Sequence, residues 1–440
     1  MIPLRRSISP KRSSHRPQAE PVPFLARIAP LFALVVFLVL LFTSLHPSPW
    51  TESSLPLFLH RPSSYTSSPS SRAVQGCSSL SMTTLEPRER AVILILLRES
   101  DLSELLPTLQ NFQDRFNTNF NYPYLIVSSP DDPPLPPEFR QAVFEVLPVS
   151  ARVEWSVVEE EYWRIPEWLN GREMREGFRR MEKEGIQYAG REGYHHMIRW
   201  YSGLFARHKE LSKYRWYWRL EPGVKFYCDI TYDPFRYLSI QDKVYGFAIS
   251  VVENQQTIPT LFKTIQGYVR ETGLVPDRGM WNFLTDQKKV DGKEDEEYTG
   301  FHFWTNFEIG NLDFFRSSEY QAFFNHLDRA GGFYTERWGD APVRALGLGL
   351  LSSIDQIHYF EDFGYQHDWF FHCPSKSQSK VPSLTSYKPL GEGAVGCRCE
   401  CPKAGDLQGR KKGKELRDMD TDWEYSSIDF WKKALREYGQ

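Results

Sequence analysis

One acidic residue stands at a point in the chain where α/β proteins commonly bind their ligands. The run from Trp216 to Leu220 is mostly aromatic, which is typical of a buried β-strand, and Glu221 follows it directly. Pro222 and Gly223 then turn the backbone. An acid at the carboxyl end of a core strand can hold a divalent cation that is bound to the phosphates of a sugar nucleotide. The alternative is an ordinary acid that caps the turn.

The flanking sequence predicts the sheet that positions this acid. Ala91–Leu97 is a fully apolar strand, the spacing from Leu102 to Phe116 is helical, and Tyr124–Val127 is a second apolar strand. Strand, helix and strand in this order are the start of a parallel sheet with a crossover helix. Further strands are predicted at Val153–Val158, Lys243–Ser250 and Ile357–Phe360, helices at Phe139–Leu147, Tyr194–Phe205, Val343–Leu351 and Trp423–Tyr438, and a mobile charged loop at Lys288–Glu297.

The composition indicates a globular protein with a large core. Of the 440 residues, 41% are hydrophobic and 15% are aromatic, which suits one or two folded domains. The net charge of −3 argues against general nucleic-acid binding, because that function needs a basic surface. The abundant aromatic rings can stack on sugars, although filling a core is their commoner role.

The amino-terminal region predicts a membrane-anchored layout. Residues 1–27 are basic, residues 28–45 form an uncharged apolar run, and residues 46–87 are rich in Ser, Pro and Thr. As a helix the apolar run is about 27 Å long, which is enough to cross a thin bilayer. We therefore predict a cytosolic tail, a transmembrane signal anchor, an extended stem and a lumenal body at residues 88–440. A cleaved signal peptide is the alternative for the apolar run.

The six cysteines are compatible with an oxidising compartment. Cys397, Cys399 and Cys401 are separated by single residues, which differs from the usual spacing of zinc ligands. We expect a disulfide from Cys373 into this cluster. The other pairings stay open, because a sequence cannot choose among them.

Several motifs occur in the same order as in one known protein family. Each motif alone is a weak signal, but together they are a strong one. From roughly residue 88 to residue 375 the chain resembles the fungal α-1,2-mannosyltransferases of glycosyltransferase family 15. The late Tyr-Ser-Cys of that family is Tyr425-Ser-Ser427 here, so one expected cysteine is missing. The matching segments are Tyr194-x-His-Met197 with Arg199 and Ser202-Gly203, Trp216–Val224, Cys228-Asp229, Phe303–Gly310, Asp328–Tyr334, Glu336–Pro342 and Gly364-Tyr-x-His367.

The resemblance implies an α/β fold of the GT-A type, a Rossmann-like glycosyltransferase fold with a single mixed-sheet catalytic domain behind the anchor. It implies GDP-mannose as the donor, Mn²⁺ as the cofactor and retention of the α configuration. The acceptors it implies are mannose residues of N-linked or O-linked glycans, in protein glycosylation and cell-wall mannoprotein synthesis. The implied location is the Golgi membrane, as a single-pass type II protein.

The resemblance also implies a metal site. Glu221 would supply a carboxylate oxygen and His367 a neutral imidazole nitrogen, a mixture that suits manganese. The ion would neutralise charge on the departing diphosphate. The alternative for His367 is a structural histidine packed among Tyr365 and Trp369.

Two further acids are the catalytic candidates. Glu308 is expected near the anomeric carbon, either as the nucleophile of a double displacement or as a group that stabilises positive charge during front-face attack. Its alternative is a buried acid paired with an arginine. Asp340 is expected to bind sugar hydroxyls or to orient the acceptor, and its alternative is a cap on the following helix.

Three residues are expected to bind the donor. Tyr194 is assigned to the diphosphate and Arg98, at the end of the first strand, to the nucleotide. Arg199 completes this set. Two other functions remain open from sequence: a catalytically inactive glycan-binding or scaffold protein on the same fold, and a glycoside hydrolase that uses Glu221 and Glu308.

Overall fold

The computed structural model describes residue 78 and residues 80–290, 293–374, 395–402 and 415–439. The predicted tail and anchor, and most of the predicted stem, lie outside these residues. Within the described ranges, every helix is too short or too polar to cross a bilayer.

A seven-stranded mixed sheet forms the centre of the body, with strand order β12-β6-β11-β4-β1-β2-β3. Strand β11 runs antiparallel to both of its neighbours, whereas the other pairs are parallel. The predicted mixed α/β sheet is thereby confirmed. Its strands are β1 (Ala91–Leu96), β2 (Tyr124–Ser128), β3 (Val153–Val157), β4 (Trp216–Leu220), β6 (Tyr245–Phe247), β11 (Phe307–Asn311) and β12 (Ile357–Tyr359).

Three smaller sheets surround the central one. A four-stranded sheet has the order β15-β14-β13-β5, and β7 pairs with β10 and β8 with β9. The bounds of these strands are β5 (Lys225–Phe226), β7 (Ser250–Val252), β8 (Thr285–Val290), β9 (Lys293–Tyr298), β10 (Phe301–Phe303), β13 (Tyr365–His367), β14 (Phe370–His372) and β15 (Arg417–Asp418).

Helices connect these strands and cover the sheet. In chain order they are α1 (Leu80–Thr83), α2 (Leu102–Phe112), α3 (Thr118–Phe120), α4 (Pro137–Val146), α5 (Gly171–Lys183), α6 (Glu192–Ser202), α7 (Pro234–Ile240), α8 (Leu261–Thr272), α9 (Arg278–Leu284), α10 (Leu312–Arg316), α11 (Ser318–Ala330), α12 (Gly332–Thr335), α13 (Asp340–Leu351) and α14 (Ile428–Tyr438). A π-helical turn, Gln113–Asn117, follows α2.

The central strand β4 separates two large apolar cores. Trp216, Trp218 and Leu220 belong to one core, and Tyr217 belongs to the other. Because successive side chains of a strand point to opposite faces, Arg219 emerges on the same face as Tyr217. The aromatic strand thus places one charged side chain inside the second core.

Some predicted elements end or divide at particular residues. The strand predicted at Lys243–Ser250 is two strands, β6 and β7. The helix predicted to reach Phe205 ends at Ser202, and Gly203 follows it. A Cβ atom at Gly203 would lie 2.3 Å from the ring of Phe324, so the absence of a side chain lets α11 approach closely.

The prediction of a mobile loop at Lys288–Glu297 is wrong. This segment forms most of the β8–β9 hairpin, in which Thr285 is opposite Tyr298 and Gln287 is opposite Glu296. Lys288 forms an ion pair with Glu297 across the hairpin. Charges of opposite sign on facing strands favour pairing, so the charge density supports a hairpin here.

Two disulfides tie the small sheet to the carboxyl-terminal part of the chain. Cys373 is bonded to Cys401, which confirms the expected bridge into the cysteine cluster. Cys228 is bonded to Cys399. Cys397 is disulfide-bonded as well.

A buried ion pair fixes the carboxyl-terminal segment against the small sheet. His372 Nδ1 lies 2.8 Å from an oxygen of Asp420, and His372 Nε2 lies 2.8 Å from the carbonyl oxygen of Glu361. Burial lowers the pKa of His372, but the charge of Asp420 and the hydrogen bond to it outweigh burial, so the pKa is raised above 6.5. Burial likewise raises the pKa of Asp420, yet the His372 cation holds it below 3.8.

These directions predict how stability depends on pH. The contribution of His372 is complete below its unfolded pKa of about 6.5 and is lost as the pH rises through its raised folded pKa. The contribution of Asp420 is present above about pH 4 and is lost on acidification. We therefore expect the free energy of unfolding to fall as the pH rises above about 6.5, and His372→Gln to flatten this decline. Denaturant titrations across that range measure it.

The matched control is His326→Gln, which replaces a partly exposed histidine on α11. This histidine is outside the His372–Asp420 pair, so a flattening seen with His372→Gln alone assigns the decline to that pair. An equal decline in the parent and in His372→Gln would contradict a role for this ion pair.

Candidate active site

The turn after β4 brings Glu221 to the hairpin that carries His367. Gly223 has a φ of 95°, a left-handed conformation that glycine adopts without strain, and it reverses the chain into β5. Strand β5 pairs with β13, with Phe226 opposite Tyr365. As a result, Nε2 of His367 lies 3.7 Å from Oε2 of Glu221. Two residues that are far apart in sequence therefore meet at the carboxyl end of the central strand.

These two side chains have the donor atoms and the spacing of a partial metal site. Two atoms that bind one small divalent ion at about 2 Å each are separated by about 3–4 Å, which matches the observed distance. The Glu221 side chain is 25% exposed and the His367 side chain 20% exposed, so both reach a solvent-accessible surface. Among the described residues no cluster of three or more such ligands is found. The described part of the chain thus brings two ligands together here, and a substrate and water can supply further ones.

The ring of Trp304 limits the movement of His367. The two ring centroids are 5.3 Å apart in an edge-to-face arrangement, and Trp304 also contacts Phe370 on the neighbouring strand. Nδ1 of His367 is buried and has no hydrogen-bond partner. Packing, rather than a second hydrogen bond, therefore orients this imidazole.

Arg219 joins Glu221 to Asp340. Its Nη2 donates to Oε1 of Glu221, and its Nη1 donates to Oδ2 of Asp340 at 2.7 Å. The guanidinium lies over the ring of Tyr201, 3.6 Å from the ring centroid. Burial opposes the charge of Arg219, but the two carboxylates outweigh it and raise its pKa above the ordinary value. The cation therefore remains charged between the two acids.

Asp340 is held by the site and does not cap its helix. It is the first residue of α13, Gly339 occupies the N-cap position, and no capping hydrogen bond forms. Thr305 donates a hydrogen bond of 2.8 Å to Oδ2 of Asp340, the oxygen that also accepts from Arg219. The geometry thus argues against the capping alternative, and the substrate-side role of Asp340 stays a prediction.

Glu308 lies opposite Arg219 in the β4–β11 pair, but its carboxylate is turned to a different partner. The side chain is fully buried and forms an ion pair of 3.1 Å with Arg344. Tyr245 donates a hydrogen bond of 3.0 Å to the same carboxylate. Burial raises the pKa of Glu308, while the cations of Arg344 and Arg219 oppose that shift. This geometry is the buried acid–arginine pair that sequence analysis gave as the alternative.

Tyr194 lies at the edge of the same cluster. Nη1 of Arg337 donates to its hydroxyl at 3.3 Å, and Arg337 also pairs with Glu253 at 3.6 Å. Burial, aided by the charges of Asp340 and Glu253, raises the pKa of Tyr194 to about 12, so the phenol stays protonated. Its ring centroid is 4.7 Å from that of Tyr188.

Arg98 and Arg199 occupy different surroundings. Arg98 has a side chain that is 62% exposed and pairs with Asp101 at 3.0 Å, so it can still turn towards a ligand. Arg199 is buried in a bidentate pair with Asp328, at 2.6 and 3.0 Å. The structure therefore does not bring Arg199 to the Glu221 cluster. Its assignment to the donor stays a prediction that this geometry does not favour.

The arginines that organise the acids were not predicted from sequence. Arg219 is the charged residue within β4, and Arg344 is the basic residue within α13, whose other residues after Asp340 are apolar. A charged residue at a core position requires a buried partner, and this signal was available in both places.

Comparison with protein families gives a match over most of the chain. The model described as "Glycolipid 2-alpha-mannosyltransferase" matches residues 64–384. The probable mannosyltransferase YUR1 of Saccharomyces cerevisiae is 41% identical over 317 residues, which cover 70% of this chain and 73% of that protein. The O-glycoside alpha-1,2-mannosyltransferase homolog 4 of Schizosaccharomyces pombe is 34% identical over 372 residues, covering 77% and 79%.

Solved structures give the same relationship. The mannosyltransferase Ktr4p of S. cerevisiae in complex with GDP has a TM-score of 0.66 and 32% identity, and the match covers 83% of this chain and 85% of that one. Core-mannan synthase A from Aspergillus fumigatus, in its Mn/GDP form, has a TM-score of 0.64 and 31% identity, with coverage of 80% and 86%. The chain therefore belongs to the glycolipid 2-alpha-mannosyltransferase family and is a mannosyltransferase.

Proposed function

We propose that this protein is a Mn²⁺-dependent, retaining α-1,2-mannosyltransferase that transfers mannose from GDP-mannose to mannose residues of N-linked or O-linked glycans. The observation that carries the proposal is the meeting of Glu221 and His367, 3.7 Å apart at the carboxyl end of β4. A relative with 31% identity has been solved in a Mn/GDP form, which supports the same donor chemistry in a GT-A framework.

Glu221 and His367 are the residues that would hold the manganese ion. A carboxylate oxygen and an imidazole nitrogen suit this metal, and two protein ligands leave coordination positions for phosphate oxygens and water. When bound, the ion supplies Lewis-acid stabilisation of the charge that develops on the leaving diphosphate. Arg219 fixes the orientation of Glu221 by donating to its other oxygen.

The remaining residues position the substrates. Asp340 keeps its carboxylate fixed between Arg219 and Thr305, and its second oxygen is assigned to hydroxyl groups of a sugar. Tyr194, as a protonated phenol beside Arg337, is suited to donate to an anionic diphosphate oxygen. Arg98 is exposed at the end of β1 and is assigned to the nucleotide.

Two routes lead to retention, and Glu308 has a different part in each. In a double displacement Glu308 attacks the anomeric carbon, a glycosyl ester forms, GDP leaves, and the acceptor hydroxyl then displaces the ester. In front-face attack the leaving phosphate accepts the proton of the acceptor hydroxyl, and Glu308 only stabilises positive charge. The full burial of Glu308 and its pairing with Arg344 support the second role.

We further propose that the protein is a single-pass type II membrane protein of the Golgi. The support is the apolar run at residues 28–45 with basic flanking residues before it, followed by a Ser- and Pro-rich stem. Two disulfides in the body suit the oxidising lumen. The corresponding cellular role is the mannosylation of cell-wall mannoproteins and other secreted glycoproteins.

The function is tested with the detergent-solubilised full-length chain, labelled GDP-mannose, MnCl₂ and a panel of mannosides. We expect transfer to a mannoside hydroxyl, an α-1,2 linkage in the product and loss of transfer after chelation of the metal. Linkage analysis by NMR gives the stereochemistry. Binding of mannan without release of GDP would instead favour an inactive glycan-binding protein, and cleavage of oligomannose without nucleotide would favour a hydrolase.

Substitution of Glu221 tests the metal assignment. Glu221→Gln keeps a hydrogen-bond acceptor for Arg219 but removes the anionic ligand, so kcat should fall by about a hundredfold or more while the fold is retained. Electron paramagnetic resonance of Mn²⁺ in the presence of GDP should show weaker binding. Glu138→Gln, on the exposed side of α4, is the control. Near-normal turnover by Glu221→Gln would rule out this ligand.

A double variant that also replaces Arg344 separates the structural role of Glu308 from its role in mannose transfer. Glu308→Leu leaves the buried Arg344 without a counter-ion and should cost about 3–5 kcal/mol of unfolding free energy. The double variant Glu308→Leu/Arg344→Met should recover much of that stability, because an apolar pair replaces an ion pair. We expect stability but not mannose transfer to return. Recovery of both would mean that Glu308 serves the fold alone.

A further inference from the structure

One cavity is lined by residues that do not belong to the proposed catalytic cluster. It has a volume of about 600 Å³, is open to solvent, and is lined by residues of α8, α9 and the β8–β9 hairpin. This volume is within the range of small-ligand sites. None of its lining residues is among those assigned above to the metal, the donor or catalysis.

Helix α13 connects this cavity to the catalytic cluster. Asp340 begins the helix at the cluster, and Gly349, near its other end, faces Trp281 of the cavity wall. A Cβ atom at Gly349 would lie 2.5 Å from Leu284 and 3.4 Å from the Trp281 ring, so the helix packs directly behind the cavity. Nine residues of helix separate the two positions by about 14 Å along its axis.

Glu296, the acidic residue of the cavity wall, already accepts hydrogen bonds from other residues of the wall. Trp281 Nε1 donates to one oxygen of Glu296 at 3.2 Å, and Gln287 donates to the other at 2.7 Å. Gln266 donates to the Glu296 backbone carbonyl at 3.2 Å. Glu296 therefore serves to join α8, α9 and the hairpin, and its carboxylate is not left facing the cavity as a lone anion.

The two basic groups of the cavity are in the opposite situation. Arg270 is on the last turn of α8 and Arg278 is the first residue of α9, and both are exposed. Among the residues whose side chains are described, neither guanidinium has a carboxylate or a carbonyl partner. By contrast, Arg199, Arg219 and Arg344 are all held by acids. The cavity consequently presents hydrogen-bond donors that no protein acceptor occupies.

Exposed planar donors at the mouth of a cavity that is walled by the edge of a largely buried indole suit a carbohydrate. Guanidinium and amide groups form paired hydrogen bonds with vicinal hydroxyls, and the edge of an aromatic wall packs against the C–H face of a sugar ring. We propose that this cavity is a second carbohydrate-binding site, which holds a part of the acceptor oligomannoside remote from the mannose that reacts. The assignment to an acceptor rests on the proposed function, whereas binding of a mannoside by the cavity does not.

Direct binding tests the site without relying on turnover. The probes are methyl α-mannoside and a linear α-linked mannohexaose, titrated calorimetrically into the full-length chain without GDP-mannose. Arg270→Ala/Arg278→Ala should weaken the binding of the hexaose about tenfold or more, because two charged donors are lost. The control Lys263→Ala/Arg329→Ala removes the same charge from exposed positions outside the cavity and should bind as the parent does.

The kinetics should distinguish the long acceptor, which reaches the cavity, from the monosaccharide acceptor, which does not. The arginine double variant should raise KM for the hexaose about tenfold and leave kcat and KM for the monosaccharide acceptor unchanged. If the chain transfers no mannose at all, the proposed function fails while the calorimetric result still decides the cavity. Equal hexaose binding by the parent and the double variant, or no hexaose binding by either, would overturn the proposal. So would binding of inorganic phosphate at these arginines in place of the hexaose.

Discussion

A single buried cation holds the two acids of the candidate site together. Arg219 donates to Glu221 with one nitrogen and to Asp340 with another, so it joins the end of a central strand to the start of a helix. Without it two carboxylates would stand close together with no positive charge between them, and they would repel each other. The same charge is itself tolerable in the core only because both acids and the ring of Tyr201 surround it. The guanidinium of Arg219 therefore links the two acids of the site to the central sheet.

The aromatic core explains why this coupling is rigid. The rings of β4 on one face pack with Phe112, Phe226, Phe307 and Phe363, and those on the other with Phe205 and Phe315. Close packing on both faces fixes the strand, and hence the direction in which its charged side chain points. A cluster built on a central strand is positioned more accurately than one built on loops alone.

The elements were largely predictable from sequence, because each depends on local periodicity. The apolar run of β1 and the aromatic run of β4 could be assigned as strands, and the turn at Pro222 and Gly223 correctly placed Glu221 at the carboxyl end of a central strand. Pairings between distant segments could not be derived in this way. The approach of His367 depends on the pairing of β5 with β13, and the burial of Arg199 depends on Asp328, which lies 129 residues later. The many charges of the Lys288–Glu297 segment were interpreted as a sign of a solvated loop. Charges of opposite sign on the two strands of a hairpin, such as Lys288 and Glu297, instead stabilise strand pairing.

The strand that carries His367 is very short, and two disulfides reinforce the sheet in which it pairs. Strand β13 has three residues and lies between β5 and β14, and each of these neighbours is followed by a bridged cysteine, Cys228 and Cys373. Both bridges lead to one short segment that contains Cys399 and Cys401. The bridges thus restrain both neighbours of the strand that carries the imidazole, whereas the acid at the end of β4 is held by the central sheet. A reduced chain would therefore keep Glu221 anchored by that sheet, while His367 would lose the covalent restraint on both strands beside it.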